Sequence, residues 1–145
     1  SANPDVMNHN IETVPRLQRQ VRPSAGYARS LAVLSRAKDE GLVVKSSIMV
    51  GLGETEQEMS ETLKDLKEIG VDIVTIGQYL RPTMNHLPVQ RWWTPEEFKE
   101  FKRTGEALGI PHVESSPLTR SSYHAKEAET LAKNKASSLA NSGGR

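Results

Sequence analysis

No cysteine occurs among the 145 residues of this chain, so its own side chains form no disulfide and hold no metal through thiolates. An excess of either charge is also missing, since 19 basic and 18 acidic side chains leave a formal net charge of +1. Without a basic surplus to neutralise phosphates, no nucleic-acid partner is expected. No apolar run approaches the roughly 18–20 residues of a membrane span. Residues 1–5 carry neither the basic nor the apolar part of a secretory leader. No membrane partner is expected either. What is present, 36% hydrophobic and 26% charged residues, suits one globular domain with a polar surface.

Short β-branched runs alternate with longer amphipathic stretches, the pattern of βα units. Strands are predicted at residues 6–10, 42–50 and 71–77, with a last short one at 111–114. Between them, residues 27–40 predict a helix with Tyr27, Leu31 and Leu34 on one face and Gly41 as its stop. Thr55 with Glu58, and Thr94 with Glu97, read as capping boxes opening two more helices, which end at Gly70 and Gly109. Met59, Leu63 and Leu66 should face inward from the first of these, and Phe98, Phe101 and Leu108 from the second. Trp92 and Trp93 are expected to pack the preceding loop onto the wall, with protein docking as the alternative. After Ser122 a short helix and then a frayed end from about Ser137 are predicted.

Strands apolar on both faces imply a parallel sheet covered by helices. Three or four such strands do not close a barrel and leave unpaired edges, so the pattern looks like half of one. Ligands of parallel βα arrays bind at the carboxyl ends of the strands. There the chain places Asn10 and Glu12, then Gly51-Leu52-Gly53-Glu54, then Gln78. Two residues apart on an extended chain, Asn10 and Glu12 point the same way, and an amide beside a carboxylate can clamp a ribose diol. The plainer alternative, favoured on the residues alone, is that they bond backbone groups at a strand end. Gly51 and Gly53 allow close approach of a flat ligand or a simple strand-to-helix turn. His9, His86, His112 and His124 show no metal-ligand spacing.

Four motifs taken together carry a resemblance. Asn8-His9-Asn10-Ile11-Glu12-Thr13-Val14-Pro15, Ser46-Ser47-Ile48-Met49-Val50-Gly51-Leu52-Gly53-Glu54, Gly77-Gln78-Tyr79-Leu80-Arg81-Pro82-Thr83 and Arg120-Ser121-Ser122-Tyr123 resemble lipoyl synthases, in that order and at similar intervals. The resemblance implies the α/β fold of a radical S-adenosylmethionine enzyme. This chain would be the C-terminal half of its partial (β/α)6 TIM-like barrel, over residues 1–120, with a C-terminal extension over 121–145. It implies S-adenosylmethionine and two four-iron–four-sulfur clusters as cofactors. The reaction implied is sulfur insertion at carbons 6 and 8 of a protein-bound octanoyl-lysine. The implied partners are octanoylated lipoyl carrier domains or the glycine cleavage H protein, with ferredoxin or flavodoxin as electron donor. The implied location is the cytoplasm, or a mitochondrion or plastid in a eukaryote.

Residue by residue, the resemblance implies cofactor contacts at Asn10 and Glu12 for the ribose, and at Arg22 and Ser30 for the methionine carboxylate. Ser47, Gly51 and Glu54 fall in the family's Gly-x-Ile-x-Gly-x-x-Glu stretch, and Gln78 follows the third strand. Ser47 stands for the first glycine and Met49 for the isoleucine, so only Gly51 and Glu54 match as written. Ser122, with Ser121 as the alternative, would bind iron of the auxiliary cluster through oxygen; a helix cap is the other use for such serines. The cysteine triplets of the family are absent, so this chain alone is expected to be inactive. Biotin synthases share the first two motifs without the last. A non-catalytic α/β nucleotide-binding module is the reading from another class.

Overall fold

The computed structural model describes residues 5–24 and 26–119. Strands β1 (Val6–Asn8), β2 (Val43–Val50), β3 (Ile73–Gln78) and β4 (His112–Ser115) form one sheet in sequence order, and every neighbouring pair is parallel. A 3₁₀ turn (Pro15–Leu17) runs into α1 (Gln18–Val21), followed by α2 (Tyr27–Asp39), α3 (Glu56–Ile69) and α4 (Pro95–Leu108). This is the expected α/β architecture, a parallel βα series forming part of a TIM-like barrel. The predicted terminal helix, the frayed end and the motif holding Ser121 and Ser122 lie outside the described residues.

Both capping boxes form. Thr55 Oγ1 accepts from the Glu58 N–H at 3.0 Å and the Glu58 carboxylate accepts from the Thr55 N–H at 3.0 Å. Thr94 and Glu97 repeat the exchange at 3.1 and 2.9 Å. Each box satisfies two donors that a helix start leaves open, worth about 1 kcal/mol. Gly70 and Gly109 stop these helices in the left-handed conformation, at φ 96° and 101°.

The helices cover one face of the sheet, where Val44, Ile48, Val74, Ile76 and Val113 meet Leu34, Leu63, Leu66 and Phe98. The predicted stripes of α2 and α4 face the core and also take in residues that no apolar pattern marks. On α2 the buried residues are Ser30, Leu34 and Ala37, while Tyr27 and Leu31 are only partly covered; the Tyr27 hydroxyl turns instead to Asp65 of α3 at 2.8 Å. On α4 Gly105 is buried beside Phe98 and Phe101, and the partly covered Leu108 packs against the same core as predicted. A Cβ at Gly105 would lie 2.9 Å from Val113, so the bare backbone lets α4 close on β4.

The other face of the sheet is mixed, with Val6, Val43 and Ile73 in a small apolar patch beside polar side chains. Register aligns Asn8, Lys45, Ile73 and His112 in one row and Ser47, Thr75 and Glu114 in the next. In a TIM-like barrel that face is the interior, filled in layers. Among the described residues no helix is long and apolar enough to cross a membrane.

Candidate functional site

A cleft of about 630 Å³ opens at the carboxyl ends of β1 to β3, lined among others by Glu12, Arg22, Met49, Leu52, Tyr79 and Leu87. Its size falls within the range of pockets that enclose a small organic ligand. Three local structures build it.

The first is a kink after β1. Asn8 pairs with Lys45 but Glu12 bridges to Ile48, so four steps on one side oppose three on the other, which is a β-bulge. Within it Glu12 has φ 72°, and the Thr13 N–H donates to the Ile11 carbonyl at 2.9 Å. A positive φ inside an i to i+2 hydrogen bond marks a classic γ-turn, which is rare and strained. Asn10 and Glu12 therefore do not share a simple extended strand, and the two-residue spacing does not by itself align them.

The neighbours hold the turn in place. Ile11 O also accepts from Gln18 Nε2 at 2.9 Å and from Arg22 Nη1 at 2.7 Å. Glu12 N donates to Ser47 O at 3.1 Å, and Glu12 O accepts from Met49 N at 2.8 Å. The Glu12 carboxylate itself makes no hydrogen bond among the described residues and faces the cleft. Close by in sequence, the Asn10 Oδ1 atom is buried without a partner among the described residues, a state costing about 1–3 kcal/mol unless a ligand or water relieves it.

The second structure is the anchoring of Arg22. Its Nη2 donates to the Ser30 hydroxyl at 2.8 Å, and the same hydroxyl meets His9 Nε2 at 3.0 Å. Ser30 is 1% exposed; it stands behind Arg22 and not in the cleft. Burial, and then the Arg22 charge, hold His9 below its usual 6.5 against the opposing pull of Glu12. The sequence passed over His9 because it sought metal-ligand spacing; its place beside Asn10 was the available signal.

The third is a hydrogen-bonded lock on the helix side of the same strand ends. Glu54, 5% exposed, accepts from Gly51 N at 2.8 Å, Leu52 N at 3.1 Å and Trp93 Nε1 at 2.9 Å. Gln78 donates to Arg91 O at 2.9 Å and Tyr79 O at 3.2 Å, and accepts from Trp93 N at 3.1 Å. Gly51 is pressed between them: with φ 108°, its Cβ would fall 2.2 Å from Gln78 Nε2 and 2.7 Å from Arg91 O. Gly51, Glu54 and Gln78 thus fasten the connection between β3 and α4, whose Leu80, Pro82 and Leu87 wall the cleft. They shape the cleft from behind and do not line it. Trp93 is 3% exposed and belongs to this lock, while Trp92 is 64% exposed, so only one of the two tryptophans packs the loop down. The expected packing of the loop thus holds for Trp93, but its partner Glu54, 39 residues away, was not legible in the sequence.

Of the predicted contacts, Glu12 and Arg22 line the cleft. Ser47 shares a strand face with Met49, one row below it. Asn10 lies in the bulge, and Ser30 is reached only through Arg22. Ser122 lies outside the described residues.

S-adenosylmethionine suits the donor set: a carboxylate with no hydrogen bond among the described residues for a diol, a guanidinium for a carboxylate, and Met49, Leu52 and Tyr79 for an adenine. Iron–sulfur clusters do not suit it. The chain has no cysteine, and among the described residues no group of three or more His, Cys, Asp or Glu could hold a metal.

Residues 1–66 match the family model described as the radical SAM superfamily. The chain is 62% identical over 128 residues to a lipoyl synthase from Rubrobacter xylanophilus, covering 87% of this chain and 40% of that protein. It is 54% identical over 134 residues to a lipoyl synthase from Caldanaerobacter subterraneus, covering 91% and 47%. A lipoyl synthase from Flavobacterium psychrophilum is 55% identical over 128 residues, covering 88% and 44%. The chain therefore spans less than half the length of these curated relatives. Identity at this level over most of the chain, a radical SAM match over residues 1–66 and a parallel βα fold together make the chain similar to one part of the lipoyl synthases.

Proposed function

We propose that this chain is the cofactor- and substrate-facing part of an enzyme that inserts sulfur at carbons 6 and 8 of a protein-bound octanoyl-lysine. Residues 1–120 supply βα units of the barrel, and residues 121–145 an extension. The observation that carries the reading is the strained Glu12, whose carboxylate makes no hydrogen bond among the described residues and lines the cleft together with Arg22. Bound there, S-adenosylmethionine supplies the 5′-deoxyadenosyl group as a radical for hydrogen abstraction. The residues of this chain do the holding. Glu12 accepts from the ribose hydroxyls and the Asn10 amide completes the clamp. Arg22 takes the methionine carboxylate. Met49, Leu52 and Tyr79 cover the adenine and keep water out.

The two clusters depend on cysteines from outside this sequence, with Ser121 or Ser122 contributing an oxygen ligand. Octanoylated carrier domains or the glycine cleavage H protein present the substrate, and ferredoxin or flavodoxin supplies electrons. A cytoplasmic location belongs to the same reading. In a chain of full family length, Glu12→Ala should weaken S-adenosylmethionine binding by about 1–3 kcal/mol, because hydroxyls are left unpaired at a site built for them. Unchanged affinity by calorimetry would remove Glu12 from the cofactor site. Reconstituted alone with iron and sulfide under anaerobic conditions, this chain should show no stable cluster absorbance; a stoichiometric cluster would contradict the reading.

A further inference from the structure

His9 has no place in the function just described, yet it is built into the back of the cleft. It follows the last residue of β1, its N–H donates to Lys45 O at 3.0 Å, and its ring meets the Ser30 hydroxyl of α2 at 3.0 Å. That hydroxyl is in turn the acceptor for Arg22 Nη2 at 2.8 Å. The Arg22 link has a single polarity, while the His9 link takes its polarity from the imidazole tautomer, here the neutral form protonated on Nδ1. A guanidinium only donates, so the Ser30 oxygen accepts from Arg22 and keeps its own proton to give. Neutral imidazole offers one acceptor nitrogen, and Nε2 is the nitrogen facing Ser30. Burial and the neighbouring Arg22 favour that neutral form, Glu12 being the acidic group opposing them. Ser30 brings no charge of its own.

We propose that His9 is a positioning residue for Arg22, acting through the Ser30 hydroxyl to set the guanidinium at the cleft for a ligand carboxylate. The proposal rests on the reading that Arg22 takes the methionine carboxylate. Arg22 carries five N–H donors. One on Nη1 goes to Ile11 O and one on Nη2 to Ser30, and these two anchors fix the plane of the group. An arginine recognises a carboxylate through a rigid, planar fork, so the orientation of that plane decides how many bonds form. Ser30 alone does not fix its own hydroxyl, which rotates freely about Cβ–Oγ. His9 ends that freedom by accepting its proton.

The test compares two ligands that differ only in the carboxylate, S-adenosylmethionine and its decarboxylated analogue, titrated by calorimetry against the protein at full family length. Wild type should prefer the carboxylate-bearing ligand by about 10-fold or more, the scale of a charge-assisted hydrogen bond. Arg22→Ala should abolish that preference. His9→Phe should cut it by at least about 3-fold while leaving the affinity for the analogue in place. His9→Gln, whose side-chain oxygen can accept at the position of Nε2, should restore it. A full preference in His9→Phe overturns the proposal, as does an equal loss of affinity for both ligands in His9→Phe and His9→Gln. Should His9→Phe fail to fold, Ser30→Ala reads the same link, and an intact preference there overturns it too. Absence of any preference in wild type, or its survival in Arg22→Ala, overturns instead the carboxylate reading on which this rests.

Discussion

Two groups of polar side chains crown the same strand ends, and they spend their hydrogen-bonding capacity differently. Behind the β3 to α4 connection, Glu54 and Gln78 are saturated by the chain itself, with three contacts each. Around the cleft, among the described residues, the Glu12 carboxylate makes no hydrogen bond, Asn10 Oδ1 in the bulge is buried without a partner, and Arg22 retains donors beyond its two anchors. A native fold rarely leaves such capacity idle unless something else uses it. Motif matching treats Glu12 and Glu54 alike, as acidic residues near a glycine-rich or strand-end turn. Counting donors and acceptors separates them into a carboxylate that holds the fold and a carboxylate that is held by it.

The largest effect should come from the lock. Gly51→Ala adds a carbon 2.2 Å from Gln78 and 2.7 Å from Arg91 at a φ of 108°. It should cost roughly 3–4 kcal/mol of stability from overpacking and left-handed strain together, measured by denaturant unfolding. A loss below about 1 kcal/mol would mean the lock is looser than its geometry.

The cleft should answer in the opposite sense. Glu12→Gly relieves the positive φ at the γ-turn, offset by the greater freedom of glycine in the unfolded chain. Stability should stay level or rise by up to about 1 kcal/mol, while affinity for S-adenosylmethionine falls. A variant that loses both would erase the contrast between the two regions.

The smallest effect is a proton linkage at His9. Its folded value lies below 6.5, so below that pH the unfolded chain binds a proton that the folded chain resists. The stability contributed is fully present above 6.5 and is lost as pH falls from there through the lowered folded value. His9→Gln should remove that part of the pH slope, read from unfolding midpoints between neutral and mildly acidic pH. An unaltered slope would place the proton elsewhere.

Much of the fold was legible because its signals are local. A capping box spans four residues and a left-handed glycine stop only one, so Thr55, Thr94, Gly70 and Gly109 could be read without knowing what they pack against. The parallel order followed from alternation of strand and helix patterns. What escaped is decided over longer distances. The turn at Pro15–Leu17 and the four-residue α1 are too short to show a period. The buried stripe of α2 runs through Ser30 because Arg22 and His9 draw that hydroxyl inward, which no hydrophobic pattern predicts. The division of the site residues was hidden for the same reason: Trp93 meets Glu54, and Arg22 meets Ile11 O, only once the chain has folded.

The most direct test of that division is the loss of unfolding free energy in Glu54→Gln set beside that in Glu12→Gln, in a chain of full family length without ligand. Glu54→Gln turns an amide N–H₂ toward donors that need an acceptor and should cost about 2–4 kcal/mol. Glu12→Gln changes a side chain with no hydrogen bond among the described residues and should stay within about 0.5 kcal/mol. Equal losses, or the larger loss at Glu12, would contradict the account.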